Sequence, residues 1–459
     1  MVVVFVVVAV AVLALLAGVH RYVWRRLIGD TTEKGSLARR AGTVAAFVLP
    51  LLTVGAFVSG RAGFPFLVQQ ILAWPGYLWL ACLLYLTLAL LVGEAVRPLL
   101  RRVLARRAGT AGAAPAEQGD PTQHTEQGEP ADQTQQTERA GRADLPAAAS
   151  TAAVSADPGP GPGAGSSRTD LAAPAEVPAP SSVADPSRRL FVARAVGGAA
   201  ALAGLATVGH GTYGVLRGPR TKRITVRLAG LPRSAHGFRI AVVSDIHLGP
   251  ILGRAHTRRI VDAVNATGAD LVAVVGDLVD GSVADLGHAA EPLAGLEARH
   301  GSYFVTGNHE YFSGAAQWVD HVRELGLHPL ENARVEVAGF DLAGVNDVAG
   351  ESEGQGPDFA RALGDRDRSR ASVLLAHQPV VIDDAVEYGV GLQLSGHTHG
   401  GQLWPGNLLA GLANPTVAGY ERYGDTQLYV SRGAGAWGPP VRVGAPSDIT
   451  VVELASPQA

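Results

Sequence analysis

Five short apolar runs in the C-terminal half of the chain each end in residues that can bind a metal ion. The runs are Phe238–Ser244 before Asp245-Ile-His247, Leu271–Val275 before Gly276-Asp277-Leu-Val-Asp280, Tyr303–Thr306 before Gly307-Asn308-His309-Glu310, Val373–Ala376 before His377, and Leu392–Ser395 before Gly396-His397-Thr398-His399. In an extended strand, residues two apart point to the same side, so we expect Asp245 and His247 to reach one cation. Ligands of an open α/β sheet collect at the carboxyl ends of its strands. The pattern therefore predicts buried strands whose ends converge on one site.

The ligand-type residues are carboxylates, imidazoles and one amide. Together they suit divalent cations such as zinc, manganese or iron. Glycines at positions 276, 307 and 396 permit tight turns that bring the backbone close to the ions. A different glycine pattern, Gly433-Ala-Gly435-Ala-Trp-Gly438, formally fits a dinucleotide-binding loop. It is followed by two prolines instead of a helix, so we reject that interpretation.

Short apolar runs alternate with helix-like stretches over residues 219–459, which is typical of β-α-β units. Besides the five runs, we predict strands at Ile224–Leu228, Leu428–Ser431 and Ile449–Leu454 and a hairpin near Ala333–Leu342. Predicted helices are Arg254–Asn265, Ala289–Ala298, Ala315–Leu325 and Val380–Tyr388. These elements predict one α/β domain over residues 219–459.

The five blocks, in this order, resemble the D-x-H, G-D-x-x-D, G-N-H-E, H and G-H-T-H motifs of the calcineurin-like metallophosphoesterases. The resemblance covers residues 237–403. Gly400-Gly401-Gln402, the later Ser431-Arg-Gly-Ala-Gly and the apolar N-terminal region resemble the membrane-anchored YkuE/YaeI-type branch of that family. The resemblance implies an α/β fold, a β-sandwich flanked by helices, here preceded by transmembrane helices.

The resemblance also implies two divalent metal ions. The implied ligands of the first are Asp245, His247, Asp277 and His399, and those of the second are Asp277, Asn308, His377 and His397, with Asp277 shared. A metal-bridging hydroxide would attack phosphorus, while His309 would assist catalysis by protonating the leaving group. Direct roles for Asp280 and Glu310 stay open. We place Asn346-Asp347 and Arg442 in substrate-facing loops, and we expect the histidines outside the motifs, His256 among them, to be structural or solvated.

The N-terminal region carries long apolar segments. Hydrophobic residues make up 47% of the chain and charged residues only 17%, which favours membrane spans. The apolar segments are residues 2–19, 42–59 and 64–93, and arginine-rich clusters follow the first and the third. The positive-inside rule places both clusters in the cytoplasm. We therefore predict three transmembrane helices within residues 1–107. A cleaved signal peptide is the alternative for residues 2–19, but it lacks a basic start and a clear cleavage site.

Two further segments precede the α/β domain. Residues 108–187 are rich in alanine, proline, glycine and polar residues, which predicts a disordered linker. Ser187-Arg188-Arg189-Leu190-Phe191-Val192 and the mildly apolar run that follows resemble a twin-arginine export signal, here internal. An ordinary spanning helix is the alternative for residues 188–218. Both interpretations place the arginines inside and the α/β domain outside the membrane.

These features predict a multi-pass protein of the cell membrane with an extracytoplasmic catalytic domain. Its expected activity is metal-dependent hydrolysis of phosphodiester or pyrophosphate bonds in a lipid or cell-envelope substrate, with the twin-arginine translocase as a further partner. A UDP-2,3-diacylglucosamine pyrophosphatase-like enzyme and a non-catalytic metal-binding sensor are the alternatives. The net charge of −3 gives no reason to expect nucleic-acid binding, and the single cysteine, Cys82, excludes a disulfide framework.

Overall fold

The computed structural model describes residues 2–111 and 186–459. The chain divides into two compact units, of which the first comprises residues 1–103 and 186–459. The second, residues 104–185, is described only through Ala111, as the end of a helix. The predicted linker, residues 108–187, therefore lies outside the described residues except at its two ends.

The N-terminal region is helical. Its helices are α1 (Val2–Trp24), α2 (Leu37–Arg61), α3 (Phe66–Ala111) and α4 (Pro186–Leu216), and a π-helical turn, Arg25–Gly29, follows α1. Within the described residues, the stretches Leu37–Arg61, Phe66–Leu104 and Arg188–Leu216 are long and apolar enough to cross a membrane. The predicted spans at 42–59 and 64–93 lie in α2 and α3, and the predicted segment 188–218 lies on α4.

Small residues allow α3 to pack closely against its neighbours. A Cβ on Gly204 of α4 would lie 3.1 Å from the backbone nitrogen of Leu86, and one on Gly93 of α3 would lie 2.6 Å from Val196. Close approach at glycines is the packing mode of helices in lipid, where no hydrophobic effect drives association. The helices α3 and α4 are thus in close contact at these two positions.

Residues 219–459 form two six-stranded sheets. The first has the order β1-β12-β2-β3-β4-β5, from Arg220–Arg227, Asp448–Ala455, Phe238–Val243, Leu271–Val275, Ser302–Val305 and His328–Pro329. The second has the order β10-β11-β9-β8-β7-β6, from Gly419–Tyr423, Thr426–Val430, Leu392–Ser395, Ser372–Leu375, Phe340–Gly344 and Ala333–Val337. Most neighbours around the centre of each sheet are parallel, including β2–β3, β3–β4 and β8–β9. Their carboxyl ends therefore lie at one edge.

The sheets pack face to face, with helices outside. Residues such as Ile240, Phe340 and Leu392 are buried between them. The helices α5 (Arg254–Asn265), α6 (Val283–Ala290), α7 (Asn308–Ser313), α8 (Ala315–Glu324), α9 (Phe359–Leu363), α10 (Ile382–Glu387) and α11 (Gly406–Ala413) complete the domain. The outer face of the first sheet is covered by α5, α6 and α8, and that of the second by α9 and α10. The predicted fold, a sandwich flanked by helices, is confirmed.

One predicted helix, Ala289–Ala298, is wrong. The helix α6 begins at the Ser282 N-cap and ends at Ala290, and Glu291–Gly295 forms a 3-10 turn. Pro292 has no backbone N–H, and its ring crowds the carbonyl four residues earlier, which disfavours continuation of the α-helix at this point. That carbonyl, of His288, accepts a hydrogen bond from Arg254 at 2.7 Å instead.

Candidate metal centre

The strand-end residues predicted as ligands lie together at the carboxyl edges of the two sheets. Ligand atoms of Asp245, His247 and His399 lie within 4.8 Å of one another, and so do those of Asp277, His377 and His397. The first group contains three of the residues expected at the first metal, and the second group three of those expected at the second. We call them cluster 1 and cluster 2.

Asp277 belongs to cluster 2 and also faces cluster 1. Its Oδ2 atom is 3.1 Å from Nε2 of His377 in cluster 2 and 3.7 Å from Nε2 of His247 in cluster 1. The remaining predicted ligand, Asn308, places its amide oxygen 3.0 Å from Nδ1 of His397. All seven residues expected to bind metal are therefore close together, although His247 and His399 alone are 152 positions apart in the chain.

The predicted extended geometry at Asp245 and His247 is wrong. The strand β2 ends at Val243, and the two residues have left-handed φ angles of 52° and 50°. Their N–H groups donate to the carbonyls of Gly276 and Asp277, at 3.1 Å each. The neighbouring loop after β3, rather than strand alternation, therefore positions both side chains. Left-handed backbone is costly for residues other than glycine, and such strain collects at functional sites.

The donor set fits divalent cations. Nε2 of His377 is buried, and its contact with Oδ2 of Asp277 at 3.1 Å lacks hydrogen-bond geometry, while Nδ1 of the same ring is 2.9 Å from the carbonyl oxygen of Val275. Nε2 of His247 faces Nε2 of His399 at 2.9 Å. Among the described residues, neither Asp245 nor Asp277 has a lysine or arginine as ion-pair partner, and both are buried. Buried carboxylates need a compensating charge, which cations would supply here.

The electrostatics of the metal-free protein agree with this interpretation. Burial would lower the pKa of His247, but Asp280, Asp277 and Asp245 raise it to about 9. Burial would raise the pKa of Asp277, but His377 and His247 hold it well below its usual value. Because a metal ligand must be deprotonated, cation binding at His247 would release a proton.

Glu310 supports the clusters without belonging to them. The Glu310 carboxylate accepts from the N–H groups of Gly307 at 2.6 Å, Leu278 at 2.7 Å and Asp277 at 3.0 Å, which ties the turn after β3 to the turn after β4. Burial, followed by the charge of Asp277, raises the pKa of Glu310 to about 7. Glu310 therefore stabilises the two turns that carry the predicted ligands.

Arg442 and Asn346-Asp347 do not face the substrate side as predicted. Arg442 is buried, with Nη2 at 3.0 Å from Nδ1 of His399 and Nη1 donating to the His399 carbonyl at 3.0 Å. Burial and then the charge of Arg442 keep the pKa of His399 well below its usual value. Asn346 donates to the carbonyl of Gln355, and Asp347 accepts from the Ala349 N–H. These residues hold ligands and loops in position.

His309 and Asp280 stand beside cluster 1. Oδ1 of Asp280 is 2.6 Å from Nδ1 of His309 and 3.0 Å from Nδ1 of His247. Burial would raise the pKa of Asp280, but His247 and His309 lower it to about 2, so it is ionised at neutral pH. The indole of Trp437 meets the His309 ring edge to face, at 5.7 Å between ring centroids. The ring is therefore fixed in orientation at the floor of a cleft.

The cleft above the clusters has a volume of about 1210 Å³, and part of its wall comes from the membrane helices. The end of α2, the loop after it and the start of α3 contribute, among others, Phe57, Arg61, Phe64 and Tyr77. Phe312 and Trp437 line it from the α/β domain. We did not predict this wall, because the segments that form it are recognisable in the sequence only as apolar spans. Because the wall combines two distant parts of the chain, no short sequence motif identifies it.

Comparison with known proteins agrees with the fold. The family model of calcineurin-like phosphoesterases matches residues 238–401. An uncharacterized metallophosphoesterase of Helicobacter pylori strain J99 is 38% identical over 256 residues, which cover 54% of this chain and 68% of that protein. The chain therefore belongs to the calcineurin-like phosphoesterase family.

Two further relatives have names that refer to a transmembrane protein or to YkuE. A zebrafish transmembrane protein with metallophosphoesterase domain is 37% identical over 259 residues, which cover 53% of this chain and 59% of that protein. The uncharacterized metallophosphoesterase YkuE of Bacillus subtilis is 29% identical over 292 residues, which cover 59% of this chain and 98% of YkuE. The similarity to YkuE is consistent with the branch that the motifs predicted.

Proposed function

We propose that this chain is a membrane-anchored phosphoester hydrolase that uses two divalent metal ions, bound at clusters 1 and 2. The observation that carries the proposal is the pair of ligand clusters that meet at Asp277, beneath a cleft that the membrane helices help to enclose. Asp245, His247, Asp277 and His399 would hold one ion, and Asp277, Asn308, His377 and His397 the other. Zinc, manganese and iron all suit this donor set.

Bound divalent ions would supply an activated water at neutral pH and neutralise charge on the phosphoryl oxygens. The protein's own residues prepare the rest of the reaction. Asp280 holds His309 by its Nδ1 atom at 2.6 Å, which leaves Nε2 to protonate the departing oxygen. Trp437 and Phe312 flank the same ring and pack against it edge to face. An intact donor with its own orienting carboxylate favours an enzyme over a non-catalytic metal sensor.

We also propose that the substrate is a phosphodiester or pyrophosphate of a lipid or of the cell envelope. Glu94 of α3 forms ion pairs with Arg26 and Arg97, at the arginine-rich end of the helices. Tyr77, which lines the cleft, lies 17 residues along α3 from Glu94, or about 25 Å at 1.5 Å per residue. Because a bilayer has about 30 Å of hydrocarbon, the cleft would open near the membrane surface opposite the arginines.

The positive-inside rule would then place the catalytic domain outside the cytoplasm. A UDP-2,3-diacylglucosamine pyrophosphatase-like activity needs the opposite orientation, so it is the weaker candidate. The helix α4 packs along α3 at Gly93 and Gly204, which supports a retained span. Recognition of Arg188-Arg189 by the twin-arginine translocase is compatible with such a span. The signal only directs the protein to the translocase, and the apolar helix that follows would remain in the membrane.

Hydrolysis is tested with the full-length protein in detergent micelles supplied with manganese or zinc. We expect turnover of bis(p-nitrophenyl) phosphate, its loss in Asp277→Asn, and full activity in His288→Ala, which changes an exposed histidine outside the clusters. No turnover with any divalent metal, or unchanged turnover in Asp277→Asn, would refute the enzymatic proposal.

The substrate is tested by offering phospholipids, a glycolipid pyrophosphate and a teichoic-type polymer, with products identified by mass spectrometry. For a lipid that is hydrolysed, Phe64→Ala should raise KM roughly tenfold, because a buried phenylalanine contact contributes about 1.5–3 kcal/mol. KM for bis(p-nitrophenyl) phosphate should not change. Phe47→Ala is the matched control, since Phe47 is exposed on α2 outside the cleft. Equal effects of Phe64→Ala on both substrates would contradict a lipid contact at the wall.

Orientation is tested by cysteine labelling. In a Cys82→Ser background, Ser352→Cys places one thiol at an exposed position of the α/β domain. We expect a membrane-impermeant maleimide to label it in intact cells. Labelling only after permeabilisation would show that the domain is cytoplasmic.

A further inference from the structure

The helix α11 exposes large apolar side chains that nothing in the described residues covers. Leu408, Leu409 and Leu412 are 65%, 72% and 84% exposed, and Trp404, just before the helix, is 54% exposed. The sequence from Leu403 to Ala418 contains no charged residue. A contiguous apolar surface of this kind marks an interaction site, because it is unfavourable in water.

The segment before α11 is attached to the membrane helices. The Tyr85 hydroxyl of α3 donates to the Trp404 carbonyl at 3.0 Å. Leu403 and Val443 pack against a buried group that includes Tyr85 and Val208, on α3 and α4. Tyr85 lies nine residues from Glu94 along α3, which is about 14 Å and well within the hydrocarbon thickness of about 30 Å. The exposed leucines therefore begin beside the lipid-facing part of the spans.

The helix is also coupled to cluster 1. Gly401, two residues after the predicted ligand His399, has a left-handed φ of 83°, and a Cβ there would lie 2.2 Å from the backbone nitrogen of Asn407. The first turn of α11 is therefore packed directly on the turn that carries His399. No side chain separates the two segments.

We infer that α11 inserts into the outer leaflet of the bilayer beside the spans, with Trp404 and the three leucines in contact with lipid. Burial of apolar surface drives such insertion. Lipid is the occupant we favour over a second protein copy, because the surface is continuous with the spans and carries no charge that would specify a partner. The inference rests on the proposed membrane placement. It implies that lipid contact holds the His399 turn against the membrane.

Site-directed spin labelling tests the inference on the full-length chain in liposomes. In the Cys82→Ser background, labels are attached at Leu409→Cys and, separately, at Leu412→Cys. Leu51→Cys, 70% exposed on α2, is the bilayer control. Asp365→Cys, whose native side chain is 85% exposed in the α/β domain, is the aqueous control. Hydrolysis of bis(p-nitrophenyl) phosphate by each labelled protein verifies the folded state and tests the enzymatic proposal separately.

We expect labels at Leu409→Cys and Leu412→Cys to be accessible to oxygen and protected from a water-soluble nickel chelate, as at Leu51→Cys. Accessibility to the chelate as at Asp365→Cys would overturn the inference. Protection from both reagents, with dipolar broadening that disappears on dilution with unlabelled protein, would show instead that a second copy covers α11. If the label at Leu51→Cys is itself accessible to the chelate, the membrane placement fails together with the inference.

Discussion

Asp280 holds His309 through a contact of 2.6 Å between its Oδ1 atom and Nδ1 of the ring. The same oxygen atom is 3.0 Å from Nδ1 of His247, a predicted metal ligand. One carboxylate therefore orients a candidate proton donor and a candidate ligand at once. Loss of a carboxylate that holds a ligand histidine typically lowers metal affinity or activity about 10–100-fold.

Replacing Asp280 by asparagine should lower kcat about 10–100-fold while KM for bis(p-nitrophenyl) phosphate changes little, because His309 loses its orienting charge. The loss should be larger for a substrate with an alkyl leaving group than for p-nitrophenolate, which leaves without a proton. Steady-state kinetics with both substrates measure the difference. Asp320→Asn, on the exposed face of α8, is the control. Equal losses on both substrates would contradict proton donation by His309.

Removing one ligand from each cluster should change the metal content. In His399→Ala and in His397→Ala, we expect the bound metal to fall from two ions per chain toward one, because each variant damages one cluster and retains Asp277. Elemental analysis after removal of free metal measures the content, and His288→Ala should retain both ions. Two ions in either variant would show that the altered histidine is not a ligand.

Gly435 should not tolerate alanine. The loop around it runs beside the first motif, with N–H groups of Ala434 and Gly435 donating to the carbonyls of Ser244 and Asp245 at 2.8 Å each. A Cβ at position 435 would lie 1.9 Å from the Ile246 carbonyl oxygen, so the loop must move away from Asp245. We expect a loss of roughly 3 kcal/mol or more in stability and a loss of metal binding.

Gly253→Ala is the matched control for that substitution. Gly253 has a negative φ, and a Cβ there would meet nothing within 4 Å. Its effect on stability should be within about 1 kcal/mol. Thermal unfolding of the full-length variants in detergent compares the two. Similar melting temperatures would contradict the close approach at Gly435.

His256 should make the fold sensitive to acid. It is 1% exposed, and neither ring nitrogen has a hydrogen-bond partner. Burial, with smaller effects of Arg259 and Arg442, lowers its pKa to about 3. Above the unfolded pKa of about 6.5 the ring is neutral in both states. Below it only the unfolded chain takes up the proton, so stability falls with pH, by about 2 kcal/mol at pH 5.

The measurement is the melting temperature at pH 7.5 and pH 5, with a chelator present so that metal release does not contribute. The variant His256→Leu should lose several degrees less on acidification than the original protein, since 1 kcal/mol corresponds to about 2–4 °C in a domain of this size. His288→Leu, at an exposed position, should behave like the original. An unchanged acid loss in His256→Leu would refute the explanation.

The fold could be predicted well from local patterns. Leu271–Val275 and Leu392–Ser395 are strands at the predicted boundaries, and Arg254–Asn265 is a helix at its predicted boundaries. These elements depend on periodicity, capping and burial within a few residues, which the sequence displays directly. The helix predicted at Ala289–Ala298 failed because the local effect of Pro292 was overlooked, and that effect is also visible in the sequence.

The sequence by itself also determined which residues would meet at the site. Each of the five runs ends in ligand-type residues, and parallel strands bring such ends to one edge of a sheet. The left-handed backbone of Asp245 and His247, the support of His399 by Arg442 and the cleft wall from Phe57 to Tyr77 were decided only by tertiary structure. Those features arise from contacts between segments far apart in the chain. The local sequence of one segment does not show which distant segment it will contact. The same reason explains why α11 is only an apolar run in the sequence, whereas the structure places the start of this exposed helix beside Tyr85.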